Sequence, residues 1–126
     1  MTSLSTPFQI HLHAEPNPGQ IASESMMAIT FELLAERLQR FERLHFEMDG
    51  SFVWSGSTPG PWQLDGMVYD RDQQVQRIEL KGQCPKVEWN MLLRAIRHPE
   101  QSLIIYDLQA THFTTIQQLE SCLWSS

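Results

Sequence analysis

His45-Phe46-Glu47-Met48-Asp49-Gly50-Ser51-Phe52-Val53-Trp54 is the stretch that decides the fold. Asp-Gly sits between two segments in which apolar and polar residues alternate. That pattern is the preferred signal for a type I′ hairpin, because both central positions want a positive φ. Alternation with a period of two puts one face of each strand in the core. The pattern continues downstream. Ser55 to Pro61 is a Gly/Pro/Ser loop, Trp62 to Tyr69 a strand, Asp70 to Gln74 a polar turn, and Val75 to Lys81 the returning strand. Residues 44–81 therefore read as a β meander.

Upstream, Phe8, Ile10 and Leu12 alternate with Gln9, His11 and His13, which predicts a half-buried strand. Glu15-Pro16-Asn17-Pro18-Gly19 is a loop. Met27, Phe31, Leu34, Leu38 and Phe41 then recur at helical spacing, with Ser23 or Ser25 placed to cap the first turn. Glu36 precedes Arg40 by one helical turn, a favourable pair.

Downstream, Gly82-Gln83-Cys84-Pro85 breaks the meander, and Pro85 suits a helix start. Trp89, Leu92, Leu93 and Ile96 mark that helix, which His98-Pro99 ends. Leu103-Ile104-Ile105-Tyr106 is an apolar run that predicts a central strand covered on both faces. Thr115 with Gln118 resembles a capping box, and Ile116, Leu119 and Leu123 continue as a terminal helix. The order is β-α-β-β-β-β-α-β-α. It predicts an α+β fold of two layers, with about three helices against a mostly antiparallel sheet of five to six strands.

A length of 126 residues fits a single domain, 1–126, with residues 1–7 loose. At 41% hydrophobic and 19% charged residues, the composition is that of a globular chain. No apolar run approaches the roughly 18 residues of a membrane span, and the N-terminus has no secretory pattern. Cys84 and Cys122 read as free thiols, which fits a cytoplasmic chain. The net charge of -6 disfavours nucleic acid as a partner, since phosphate binding draws on Lys and Arg. The nine basic residues look scattered along the sequence.

The sharpest chemical pattern is Asp65 in Gln63-Leu64-Asp65-Gly66 with Glu79 and Lys81 in Ile78-Glu79-Leu80-Lys81-Gly82. Glu79 and Lys81 point to one face, because strand side chains alternate. Two carboxylates offer hard oxygens to Mg²⁺ or Mn²⁺, and a lysine can orient an attacking water. This text resembles the PD-(D/E)xK nuclease superfamily, although Leu64 stands where that motif has proline. The resemblance implies metal ligation by Asp65 and Glu79, catalysis by Asp65, Glu79 and Lys81, and an acid contributed by Glu32 or Glu36. Hairpin register decides whether these groups meet. A five-residue loop, 70–74, places Asp65 opposite Glu79; a three-residue loop, 70–72, places it opposite Arg77.

His11 and His13 form a His-x-His pair able to bind zinc given a third ligand such as His45, His98 or His112. Cys84 precedes a helix, where the dipole lowers a thiol pKa. Trp54, Trp62, Trp89 and Trp124 are core or pocket aromatics, with Trp62 the candidate for exposure. The leading expectation is a non-enzymatic, chaperone- or adaptor-like domain that binds protein and forms a homodimer. In size, acidity and element order the chain is similar to small acidic bacterial secretion chaperones. The alternative is a divalent-metal-dependent, nuclease-like domain, active or inactive.

Overall fold

The computed structural model describes residues 3–97 and 100–124. The chain forms β1 (Phe8–Ala14), α1 (Phe31–Leu38), β2 (Leu44–Phe46), β3 (Ser51–Gly56), β4 (Trp62–Arg71), β5 (Gln74–Gly82), α2 (Lys86–Ala95), β6 (Leu103–Asp107), β7 (His112–Thr114) and α3 (Ile116–Leu123). A short 3₁₀ turn, Ala22–Glu24, follows β1. All seven strands join one antiparallel sheet in the order β2-β3-β4-β5-β1-β6-β7. The α+β fold and its element order match the sequence expectation, with one short strand, β7, added.

The Asp49-Gly50 hairpin forms, but not through a type I′ turn. Only Gly50 has a positive φ, +98°. Its N–H donates to the Glu47 carbonyl, and Glu47 N–H donates to Ser51. The Asp49 carboxylate accepts from the Ser51 amide and hydroxyl at 2.9 and 2.6 Å. Asp49 thus serves as a side-chain acceptor, and the loop closes on a bulge glycine. The turn with two positive φ values lies between β4 and β5, at Asp72 (53°) and Gln73 (72°).

Thr30, not Ser23 or Ser25, caps α1, its hydroxyl accepting from Leu33 N–H at 3.1 Å. The Ser25 hydroxyl instead donates to the Ala14 and Ala22 carbonyls. Met27 and Ile29 lie before the helix, in an extended stretch that exchanges hydrogen bonds with Val75. Both are buried, so Met27 joins the apolar stripe without being helical. Backbone pairing at the β4–β5 end outcompetes another turn of helix.

All three helices cover one face of the sheet. Leu34 and Leu38 of α1, Trp89, Leu92 and Leu93 of α2, and Ile116, Leu119 and Leu123 of α3 share one core. From the sheet that core receives Ile10 and Leu12 (β1), Phe52 and Trp54 (β3), Leu64 and Val68 (β4), Ile78 and Leu80 (β5), and Leu103 and Ile105 (β6). Each fully buried aliphatic or aromatic side chain contributes roughly 1.5–3 kcal/mol relative to exposure. Phe52 lies opposite Gly66 and fills the space a side chain there would need. Trp62 is buried rather than exposed. It packs on Gly56 and meets Trp54 edge-on at 5.6 Å.

β6 is covered on one face only. Leu103 and Ile105 enter the core, while Ile104 and Tyr106 are half-buried on the far side. The N-terminal segment is tied down from Leu4 to Thr6 rather than loose. Ser5 is buried and pairs with Cys84 through Ser5 N–H (3.0 Å) and Oγ (3.3 Å), and Thr6 N–H reaches the Leu123 carbonyl. Met1 and Thr2 lie outside the described residues, as do His98 and Pro99. Thr115 caps α3 through Gln118 N–H, but the Gln118 side chain turns to the Thr114 hydroxyl, so only half of the capping box forms.

Candidate functional site on the open face of the sheet

The helices leave the other sheet face uncovered, and strand register decides what it displays. A two-residue turn at Asp72-Gln73 and an irregularity beside Tyr69 set β4 against β5 in neither expected register. Asp65 faces Lys81, Met67 faces Glu79, and Tyr69 faces Arg77. On the other side of β5, Lys81 faces Gln9, Glu79 faces His11, and Arg77 faces His13. β6 continues the row with Tyr106 beside His11 and Ile104 beside His13, and β7 adds Phe113 opposite Tyr106.

Asp65, Glu79 and Lys81 therefore share one face. With His11 and Met67 they line a shallow depression of about 210 Å³. Within it the two carboxylates have different surroundings. Glu79 sits among three neighbours. Arg77 Nε donates to it at 2.9 Å, His11 Nε2 lies 3.4 Å away, and the Tyr69 hydroxyl reaches its other oxygen at 3.4 Å. The Arg77 guanidinium also stacks 3.9 Å above the Tyr69 ring. Asp65 is exposed and accepts from Gln63 Nε2 at 2.8 Å. Lys81 is exposed across from it.

Burial lowers the pKa of His11, opposed by the Glu79 carboxylate and assisted by Arg77. Burial lowers His13 as well, with His11 and Arg77 adding to the effect. His13 is 7% exposed, and its Nδ1 has no hydrogen-bond partner among the described residues. The Phe113 ring meets it edge-on at 6.4 Å, and the backbone of Ala22, in the 3₁₀ turn after β1, opposes the drop in its pKa through a hydrogen bond. The expected His-x-His pair thus exists on one face, with ring centres 6.2 Å apart. His45 and His112 are exposed near the sheet's edges, on β2 and β7. Among the described residues no three His, Cys, Asp or Glu side chains are grouped to hold a metal ion.

Glu32 and Glu36 lie on α1, in the helical layer behind the sheet, so neither joins Asp65. Cys84 is buried, and burial pushes its thiol up to about 12, with Glu88 adding to the rise. Desolvation outweighs the helix dipole here, so the thiol is not activated. Cys122 is exposed on α3. Sequence reasoning missed Tyr106 and Phe113, whose place on this face depends on pairing between distant strands, and Tyr69. It named Arg77 only as a partner for Asp65, whereas Arg77 faces Tyr69 across the hairpin and donates to Glu79. It also missed that α1 and α2 gather four arginines that look scattered.

No helix of the described residues is long and apolar enough to cross a membrane. No protein-family model, curated protein or solved structure matches the chain.

Proposed function

We propose that this chain is a non-enzymatic, adaptor- or chaperone-like partner-binding domain that pairs with a second copy of itself through the open sheet face. One observation supports this most: the face is self-complementary. Asp65 and Glu79 alternate with Arg77 and Lys81 across adjacent strands, beside an apolar rim of Ile104, Tyr106 and Phe113. A two-fold axis sets a surface against itself, so a face carrying both signs can satisfy its own charges. Aromatic side chains beside it supply apolar area, and Phe113 is 50% exposed. The short edge strands, β2 and β7, disfavour edge-to-edge pairing. Two free cysteines suit a reducing, cytoplasmic setting.

The alternative, a PD-(D/E)xK-type metal-dependent domain, draws on the shared depression of Asp65, Glu79 and Lys81. It ranks second because Glu79 already pairs with Arg77 and His11, and a metal would have to displace them. Calorimetric titration with Mg²⁺ and with Mn²⁺ separates the two. The proposal expects no saturable binding. Binding lost in both Asp65→Ala and Glu79→Ala would favour the alternative.

A further inference from the structure

On the helical layer, α1 and α2 lie side by side and enclose a groove of about 550 Å³. Arg37, Arg40, Arg94 and Arg97 line it, over Phe41 and Met91. These are four of the chain's seven arginines, gathered on a protein of net charge -6. Among the groove's lining residues Glu100 is the one carboxylate.

The four guanidiniums are unequally engaged. Arg37 donates to the Ala95 carbonyl at 2.9 Å and fastens α1 to the end of α2. Arg97 reaches the Ala28 carbonyl at 3.4 Å. Arg40 pairs with Glu36 at 2.8 Å, but both side chains are more than half exposed, and such a pair is weak and readily exchanged. Arg94 is exposed and has no hydrogen bond or ion pair among the described residues. Like charges held together repel unless a counter-charge joins them.

We infer that this groove binds an acidic peptide segment of a partner protein, with an apolar side chain of that segment seated on Phe41 and Met91. The inference deepens the partner-binding reading above by naming the partner's chemistry and a second surface for it. Arginine's planar fork donates two parallel hydrogen bonds to a carboxylate, which a lysine ammonium does not offer. The groove has the volume of a pocket that encloses a few residues. Its apolar floor suits a peptide anchor better than a phosphate. A long polyanion leaving the groove would meet the rest of an acidic surface.

The test is fluorescence anisotropy with a labelled pentapeptide that has phenylalanine at its centre and acidic residues on both sides. Its amide counterpart, with Asn and Gln for Asp and Glu, and a single-stranded oligonucleotide are the comparators. The acidic peptide is expected to bind in a salt-sensitive way, and Arg94→Glu to weaken it by roughly tenfold or more. Arg71→Glu, an exposed reversal at the β4–β5 end, is expected to leave binding unchanged, as is Phe113→Asp on the sheet face. Circular dichroism confirms that each variant is folded. Equal binding of the amide peptide, tighter binding of the oligonucleotide, or an unaffected Arg94→Glu would overturn the inference. Loss of binding in Phe113→Asp would also overturn it, by placing the peptide on the self-association face, whereas a monomeric wild type that still binds would separate the two surfaces.

Discussion

Asp65 stands directly across the β4–β5 ladder from Lys81, while Glu79 stands across from Met67. The two acids of the motif are therefore diagonal neighbours with different partners. Asp65 is an exposed surface acid, and Glu79 anchors a half-buried group of Arg77, His11 and Tyr69. Removing Glu79 leaves the Arg77 charge without its carboxylate. Glu79→Ala is expected to lose about 1–2 kcal/mol in urea unfolding, and Asp65→Ala to stay within about 0.5 kcal/mol of wild type. Equal losses would mean that the carboxylates act as a pair.

Acidification is expected to destabilise the chain through His11 and His13. Burial holds both below the ordinary histidine value of 6.5. The unfolded chain then takes up protons that the folded chain refuses, so stability falls as pH drops through the mid-6 range and is fully present above it. The urea midpoint should decrease from neutral pH toward about pH 5, where unfolded histidines are protonated. His13→Leu should flatten that slope. An unchanged slope in the variant would assign it to other groups.

Cys84 works in the opposite direction. Its folded thiol stays protonated up to about 12, against an ordinary value of 9.0. The stability this confers is present below the ordinary value and lost as pH rises above it, because only the unfolded chain releases the proton. At about pH 10 the loss is roughly 1.4 kcal/mol, the equivalent of a tenfold shift in equilibrium. Cys84→Ala should show a shallower alkaline decline. In the folded chain a disulfide reagent should titrate Cys122 alone, and rapid reaction of both thiols would contradict the burial of Cys84.

Gln73 holds a φ of 72° in the two-residue turn that sets the β4–β5 register. A side chain disfavours this left-handed conformation, and glycine adopts it freely. Because Gln73 is exposed and contributes a backbone carbonyl to Phe31 N–H, Gln73→Gly keeps that bond. The variant is expected to gain about 0.5 kcal/mol, from relief of the left-handed strain less the chain entropy that glycine adds to the unfolded state. A loss would show that the side chain has a role the turn geometry does not require.

The meander, α2 and α3 were legible in the sequence because their apolar residues repeat with the period of the element that buries them. Leu92 and Leu93, or Leu64 and Val68, have one stable way to reach the core. The β4–β5 register was not legible. It depends on Asp72 and Gln73 accepting a positive φ without glycine and on an irregularity beside Tyr69, and neither has a sequence signature. The Asp-Gly pair marked a hairpin correctly but suggested the wrong turn, since a glycine at the bulge serves as well. Met27 misled by its spacing, because an extended residue can enter the core at the point a helical one would. The candidate site was half legible. Alternation placed Glu79 and Lys81 on one face, but β1 and β6 bring His11 and Tyr106 beside them from opposite ends of the chain. The arginine groove was invisible for the same reason: Arg37 and Arg94 meet only because α1 packs against α2.

Self-association through the open face is read out by light scattering across the micromolar range. The wild-type chain is expected to weigh twice its 14.6 kDa, and Phe113→Asp to weigh that of a monomer while keeping the circular dichroism spectrum of a folded chain. A wild-type monomer throughout that range, or a dimer indifferent to Phe113→Asp, would contradict it.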